Sequence, residues 1–480
     1  MGIGRIAAAV VVAATLAACS TVVEGEPKGE RPDPTKVAGL EISNGPSGPK
    51  QGVPDADLVV ENGDGGEMDR LAINALADVQ DFWTIEFPRA FISKSFEPVK
   101  RFISYDANGK GVEVCRLNTT GIANAFYCAL DDSITWDRGE LLPMLNDSFG
   151  PMAVVTVLAH EMGHAVQYKL GSVSNIGPNT PSIVKEQQAD CYTGVFMRWV
   201  AEGKSKHFEL STGEGLNQVL QTMFFIRDSA GTSFEKQGAH GSAFDRVSAF
   251  QFGFTRGAVR CAEINEAEIA KRITERPFDL SDTDRGDGRG NAKVSDEKYL
   301  KALEDSLRDA YKSSGAQFPA FDRGGVKPCA DAQATSPASY CPSVNELHLD
   351  LPGLVKIGTP PKKGSKGGIG DFAAFAVVAS RFSLSIQHAT GFKLDDDAAG
   401  QRTACLTGAW AGLTNRPDAA AGLRLSPGDL DEAVAELLAD DSLIAADVNG
   451  KAVPSGFARV EAFGDGFFRG LSFCVKKYSI

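Results

Sequence analysis

The sequence is short of positive charge. Its 49 Lys and Arg stand against 62 Asp and Glu, giving a net charge of −13 with the acidic residues spread along the chain. A nucleic-acid partner needs clustered Lys and Arg to neutralise phosphates, so that class is excluded, and the acid excess reads as solubility. A membrane-spanning run is missing from the N-terminus, because the apolar stretch Ile6–Ala18 is too short to cross a bilayer as a helix. Histidine is scarce, with six residues in 480. What the chain does have is length for about two or three domains, with a globular balance of 43% hydrophobic to 23% charged residues.

Two of the six histidines lie four residues apart in an apolar run, PMAVVTVLAHEMGHAVQYKL from Pro151 to Leu170. Val154, Val155, Val157 and Leu158 are apolar on both sides of the expected helix, so the segment belongs in a core. Polar groups buried there without partners cost several kcal/mol, and the spacing gives them a use. Residues four apart share a helix face, so His160 and His164 can bind one metal ion. Glu161 beside them can take a proton from a water held by that ion.

The first nineteen residues are a processing signal. Arg5 precedes the apolar stretch, which ends in Leu16-Ala17-Ala18-Cys19. This ending resembles the lipobox of bacterial lipoproteins. That resemblance implies cleavage before Cys19, lipidation of Cys19, and a mature protein anchored to the outer face of the cell membrane or cell envelope. An ordinary secretory signal with a stray Cys is the alternative, and it too implies export.

Residues 20–67 are rich in Pro, Gly and charge and read as a flexible tether. Helical spacing then covers Leu71–Phe87, Ile183–Trp199, Leu216–Arg227 and Phe244–Ala258, while Phe102–Trp136 holds short strand-like runs between turn residues. Asn124–Tyr127 reads either as an edge strand able to hold an extended peptide or as an ordinary half-buried strand. Residues 276–294 read as a solvated second linker; Asp282, Asp284 and Asp287 have incomplete spacing for a calcium loop. This divides the chain into 1–19, 20–67, a metal-binding domain at 68–275, the linker, and 295–480.

The last segment shadows the first domain. SYCPSVNELHLD repeats AFYCALDDSITWD, and FAAFAVVASRFSLSIQHATG repeats MAVVTVLAHEMGHAVQYKLG. LSPGDLDEAVAELL repeats LSTGEGLNQVLQTM, and the interval Arg459–Cys474 equals Arg246–Cys261. Four blocks in the same order indicate a tandem duplication. In an exported protein the eight cysteines left after Cys19 suggest disulfides. The repeat selects Cys115–Cys128, Cys191–Cys261, Cys329–Cys341 and Cys405–Cys474.

The second copy has lost the metal residues. Ser380, Arg381 and Leu384 stand in register with His160, Glu161 and His164. A catalytic zinc usually has three protein ligands and an open position. The third falls to Glu186, and Asp190 on the same helix face orients a ligating imidazole. Gly400 and Ala404 replace both in the second copy. His240, replaced there by Val453, is a candidate hydrogen-bond donor to an oxyanion, or a structural residue of a capping loop. Arg246 is kept as Arg459 and reads as structural. His207, His348 and His388 have no supporting context and read as surface residues.

HEMGH, the following EQQADCYTG and the later AHGSAFDR together resemble the bacterial family of neutral zinc metallopeptidases, over about Leu71 to Cys261. The AHGS segment departs from the threonine-containing form of that family. The resemblance implies an α+β, zincin-like fold with a small mixed sheet over the active-site helix, here followed by a degenerate copy. It also implies one Zn²⁺ ion and hydrolysis of a peptide or an envelope protein. The reading from another class is a non-catalytic envelope binding lipoprotein with a structural zinc.

Overall fold

The computed structural model describes residues 32–480 except 93, 361–367, 417–418, 420–422 and 479–480. The signal peptide with Cys19 therefore lies outside the described residues. Among the described residues no helix is long and apolar enough to cross a membrane.

The fold is α+β, with helices packed on small sheets. In the first half, α1 is Glu67–Ala90, β1 Arg101–Tyr105, β2 Ala125–Cys128 and β3 Ser133–Asp137. Next come α2 (Leu141–Phe149), α3 (Pro151–Leu170), α4 (Ser182–Ala201), α5 (Glu214–Phe225) and α6 (Ala243–Arg256). The sheet order is β1-β3-β2, with β1 parallel and β2 antiparallel to β3, so β2 is an edge. Of the 20 residues of α3, 16 are buried, as expected of a helix apolar on all sides. It begins with Pro151, whose missing N–H is no loss in a first turn.

The second half follows the same order. It comprises α7 (Glu297–Tyr311), β4 (Ala320–Asp322), β5 (Ala338–Cys341), β6 (Glu346–Leu349) and α8 (Leu351–Ile357). These are followed by α9 (Asp371–Ala389), α10 (Ala399–Thr414), α11 (Asp429–Leu437) and α12 (Gly456–Arg469). Its sheet is β4-β6-β5, again parallel then antiparallel. The helix pairs α4/α6 and α10/α12 are in equally close contact. A Cβ on Gly194 would overlap the Phe250 carbonyl oxygen, and one on Gly253 that of Cys191. Gly408 and Gly466 stand in the same relation to Phe463 and Cys405. The four disulfides are those the repeat selects, Cys115–Cys128, Cys191–Cys261, Cys329–Cys341 and Cys405–Cys474.

Three sequence expectations need correction. Residues 32–67 are docked, not a free tether. Gly48–Pro49 pairs antiparallel with Phe208–Glu209, Ser43 N–H donates to Thr212 at 2.9 Å, and Arg101 holds Glu61 with two 2.7 Å bonds. Hydrogen bonds and a few apolar anchors, chiefly the fully buried Val37, hold this segment, so it needs no sustained apolar period. Residues 276–294 are folded as well. Arg276 binds the buried Asp282 at 2.6 and 3.0 Å, and Ala292 N–H donates to Asp371 at 2.8 Å. Pro32–Ile480 is accordingly one compact unit, with the halves joined by contacts such as Phe254–Phe457 at 5.0 Å and Gln251 to the Phe457 carbonyl at 2.9 Å. Finally, His207 and His348 are buried. His207 Nδ1 lies 2.5 Å from Asp78 on α1, a partner far away in sequence; His388 is exposed as expected.

Candidate metal centre

The HEMGH helix α3 and the EQQAD helix α4 meet face to face because Gly163 lets them. A Cβ there would lie 2.9 Å from both the Cα and the carbonyl oxygen of Ala189, so a larger residue would push α4 away. This approach brings Glu186 to the histidines. Its Oε2 is 3.1 Å from His160 Nε2 and 3.6 Å from His164 Nε2. One ligand atom from each of the three lies within 4.8 Å of the others.

The remaining ring nitrogens are engaged by acceptors. His160 Nδ1–H donates to Asp190 at 2.7 Å and His164 Nδ1–H to Gln167 at 3.1 Å. Both Nε2 lone pairs are thereby left for an ion. Asp190 is fully buried and also accepts from Arg246 Nη2 at 2.8 Å, which gives Arg246 the structural part expected of it. Gln167 in turn donates to the Lys185 carbonyl at 2.5 Å. The sequence reading missed Gln167, although its place one turn after His164 is a signal helix spacing supplies.

Two imidazoles and a carboxylate with oriented tautomers fit a zinc ion with an open position. Charge supports the fit. Burial opposes protonation of His160, but Asp190 and Glu186 outweigh it and raise its pKa to about 10. Burial likewise opposes charge on Glu186, and His164 and His160 nonetheless hold it well below the usual carboxylate range. Without an ion the set is therefore held together by protons, which metal uptake releases.

Glu161 is buried beside these donors without being one of the set. Its Oε2 accepts the backbone N–H of Tyr127, on the edge strand β2, at 2.9 Å. Burial pushes its pKa up, against the pull of His160 and His164. A cavity of about 650 Å³ opens here, lined by β2 residues 125–127, Tyr168, Ile176 and Ile226 among others.

The half-exposed His240 reaches the rim of the set, with Nε2 3.9 Å from Glu186 Oε2. Its loop lies on the first turn of α4 through Gly241, which has φ +106° and where a Cβ would come 2.9 Å from Ile183 Cδ1. Both requirements favour glycine. Asp228 fixes the loop. It accepts the N–H of His240 at 2.7 Å and of Gly241 at 2.9 Å, and its Oδ1 lies 3.5 Å from His240 Nδ1. No motif in the sequence marks Asp228.

Residues 32–264 match the model of the family described as "putative neutral zinc metallopeptidase". The uncharacterized protein Rv2575 of Mycobacterium tuberculosis is 28% identical over 151 residues, covering 28% of this chain and 52% of that protein. The uncharacterized protein YpfJ of Escherichia coli K12 is 27% identical over 200 residues, covering 38% of this chain and 66% of that protein. The chain thus spans about half to two thirds of the length of these curated relatives. No solved structure matches it.

Proposed function

We propose, on the premise that residues 32–264 belong to the neutral zinc metallopeptidase family, that this chain is a zinc-dependent peptidase of zincin-like fold. His160, His164 and Glu186 would hold one ion, Asp190 and Gln167 would fix the two imidazoles, and Glu161 would be the general base. The observation that carries this reading is the place of Glu161. It is a buried carboxylate beside three metal donors and hydrogen-bonded to the open edge of a strand, where a structural metal site has no use for it.

Zinc, when bound, supplies Lewis acidity, polarising a carbonyl and lowering the pKa of water towards ~7. The chain supplies the rest. The free edge of β2 aligns an extended substrate backbone, and a substrate carbonyl that takes the Tyr127 N–H frees Glu161. Glu161 Oε2 then accepts the proton of the attacking water and returns it to the leaving amine. Its raised pKa suits both transfers. His240 Nε2 donates a hydrogen bond to the carbonyl oxygen as negative charge builds.

The second half reads as a degenerate copy that keeps the frame without the chemistry. The common sheet order and the paired glycine contacts support this. Where Glu161 stands in the first half, the buried Arg381 donates to the carbonyls of Asp447, Leu443 and Ala446 at 2.8, 2.6 and 3.1 Å. The four disulfides favour an oxidising compartment and hence the lipid-anchored envelope protein that Cys19 suggests. Fatty-acid labelling of the wild type and of Cys19→Ser tests that placement: label on the variant, or none on the wild type, contradicts it.

The function is tested with zinc-loaded protein and a mixed peptide library read by mass spectrometry. Cleavage is expected to stop on chelation and to return with zinc. Cleavage indifferent to chelation contradicts the mechanism. No cleavage by the loaded protein favours the binding-lipoprotein reading.

A further inference from the structure

The loop between α5 and α6 carries Asp228 and His240, and both of its ends meet one carboxylate of the second half. Asp431, in the first turn of α11, is buried. Its Oδ2 lies 3.0 Å from Arg227 Nε, and its Oδ1 accepts the N–H of Phe244 at 3.1 Å. Arg227 is the neighbour of Asp228, and Phe244 lies in the first turn of α6, just after the His240–Gly241 turn. The carboxylate is buried and the Arg227 side chain about a third exposed, so it is the ion pair together with the Phe244 hydrogen bond that ties both ends of the loop to one point.

A second contact supports the first. Glu275 accepts the N–H of Gly231 and, at 3.2 Å, that of Gly428 just before α11. Gly428 has φ +93°, and a Cβ there would come 2.9 Å from Ala230 Cβ, so the turn before α11 is pressed against the loop. Phe244 also meets Phe467 and Phe468 of α12 at 5.2 and 5.4 Å. The loop thus lies between the metal-bearing helix α4 on one side and the second half on the other.

We propose that Asp431 is a positioning residue through which the second half holds the His240 loop against the candidate metal centre, so that the site is incomplete without the half that has Ser380, Leu384 and Gly400 in register with His160, His164 and Glu186. The catalytic consequence rests on the peptidase reading of His240; the positioning does not.

Two readouts on the full-length, zinc-loaded protein separate these. In hydrogen exchange, Asp431→Asn is expected to speed exchange across residues 228–244 by about tenfold or more while α3 and α4 stay protected. Arg227→Met breaks the same link from the other side and is expected to do the same, which covers the case in which Asp431→Asn does not fold. Unchanged exchange in the folded variants overturns the proposal. In a cleavage assay, Asp431→Asn is expected to lower kcat/KM about tenfold in the wild-type background and to change His240→Ala by less than about twofold, because the two act as one unit. An equal loss in both backgrounds means general destabilisation and overturns it. If the wild type cleaves nothing, the peptidase reading fails and the exchange result alone decides the positioning.

Discussion

Arg381→Met is expected to destabilise the protein by about 3 kcal/mol or more, because three buried carbonyls lose their donor. Arg381 is completely buried in α9, and its guanidinium serves three carbonyls of the segment 443–447 as well as the Ser380 hydroxyl. Burial lowers its pKa to about 10 in spite of Glu436 and Asp447, so it remains charged at neutral pH. Methionine fills much of the volume but leaves buried carbonyls without donors, each at a cost of about 1–3 kcal/mol. Lysine is expected to recover only part of the loss, because a single ammonium cannot reproduce the planar fork. Equilibrium denaturation of the three proteins measures this. A methionine variant within about 0.5 kcal/mol of wild type, as for an ordinary surface change, contradicts a structural role for Arg381.

Much of the site is legible in the sequence because its chemistry is local. His160, Glu161 and His164 fall within about one helical turn, Glu186 and Asp190 are four apart on the next helix, and the matching sequence blocks of the second half carry other residues at all five positions. The disulfide pairing is legible for the same reason, since the repeat supplies the constraint that eight cysteines alone lack.

What escapes is long-range. Asp78 and His207 meet across 129 residues, and Phe244 meets Asp431 across 187. No period or motif encodes either contact. The docked segment 32–67 escapes for a different reason. It is fastened through Ser43, Ser47, Lys50 and Glu61 by hydrogen bonds, and a polar, Pro- and Gly-rich composition looks the same whether its backbone bonds go to water or to protein. The linker 276–294 repeats the lesson, since its buried Asp282 meets Arg276 and its Ala292 N–H reaches Asp371 at the start of α9.

The second large effect concerns Glu161. Glutamine has its shape and can occupy the same space, with the amide oxygen still available to the Tyr127 N–H, but it cannot take up a proton. Glu161 lies outside the three-donor set, so Glu161→Gln is expected to keep one zinc. Loss of a positioned general base costs about 10²–10⁴ in rate. The direct test compares wild type with Glu161→Gln, zinc content confirmed in each, on a peptide that the wild type cleaves. The expected result is equal zinc and a kcat lower by about 10² or more in the variant. Equal zinc with equal kcat would mean that Glu161 is not the base, and would contradict the central claim that this helix carries out zinc-assisted hydrolysis.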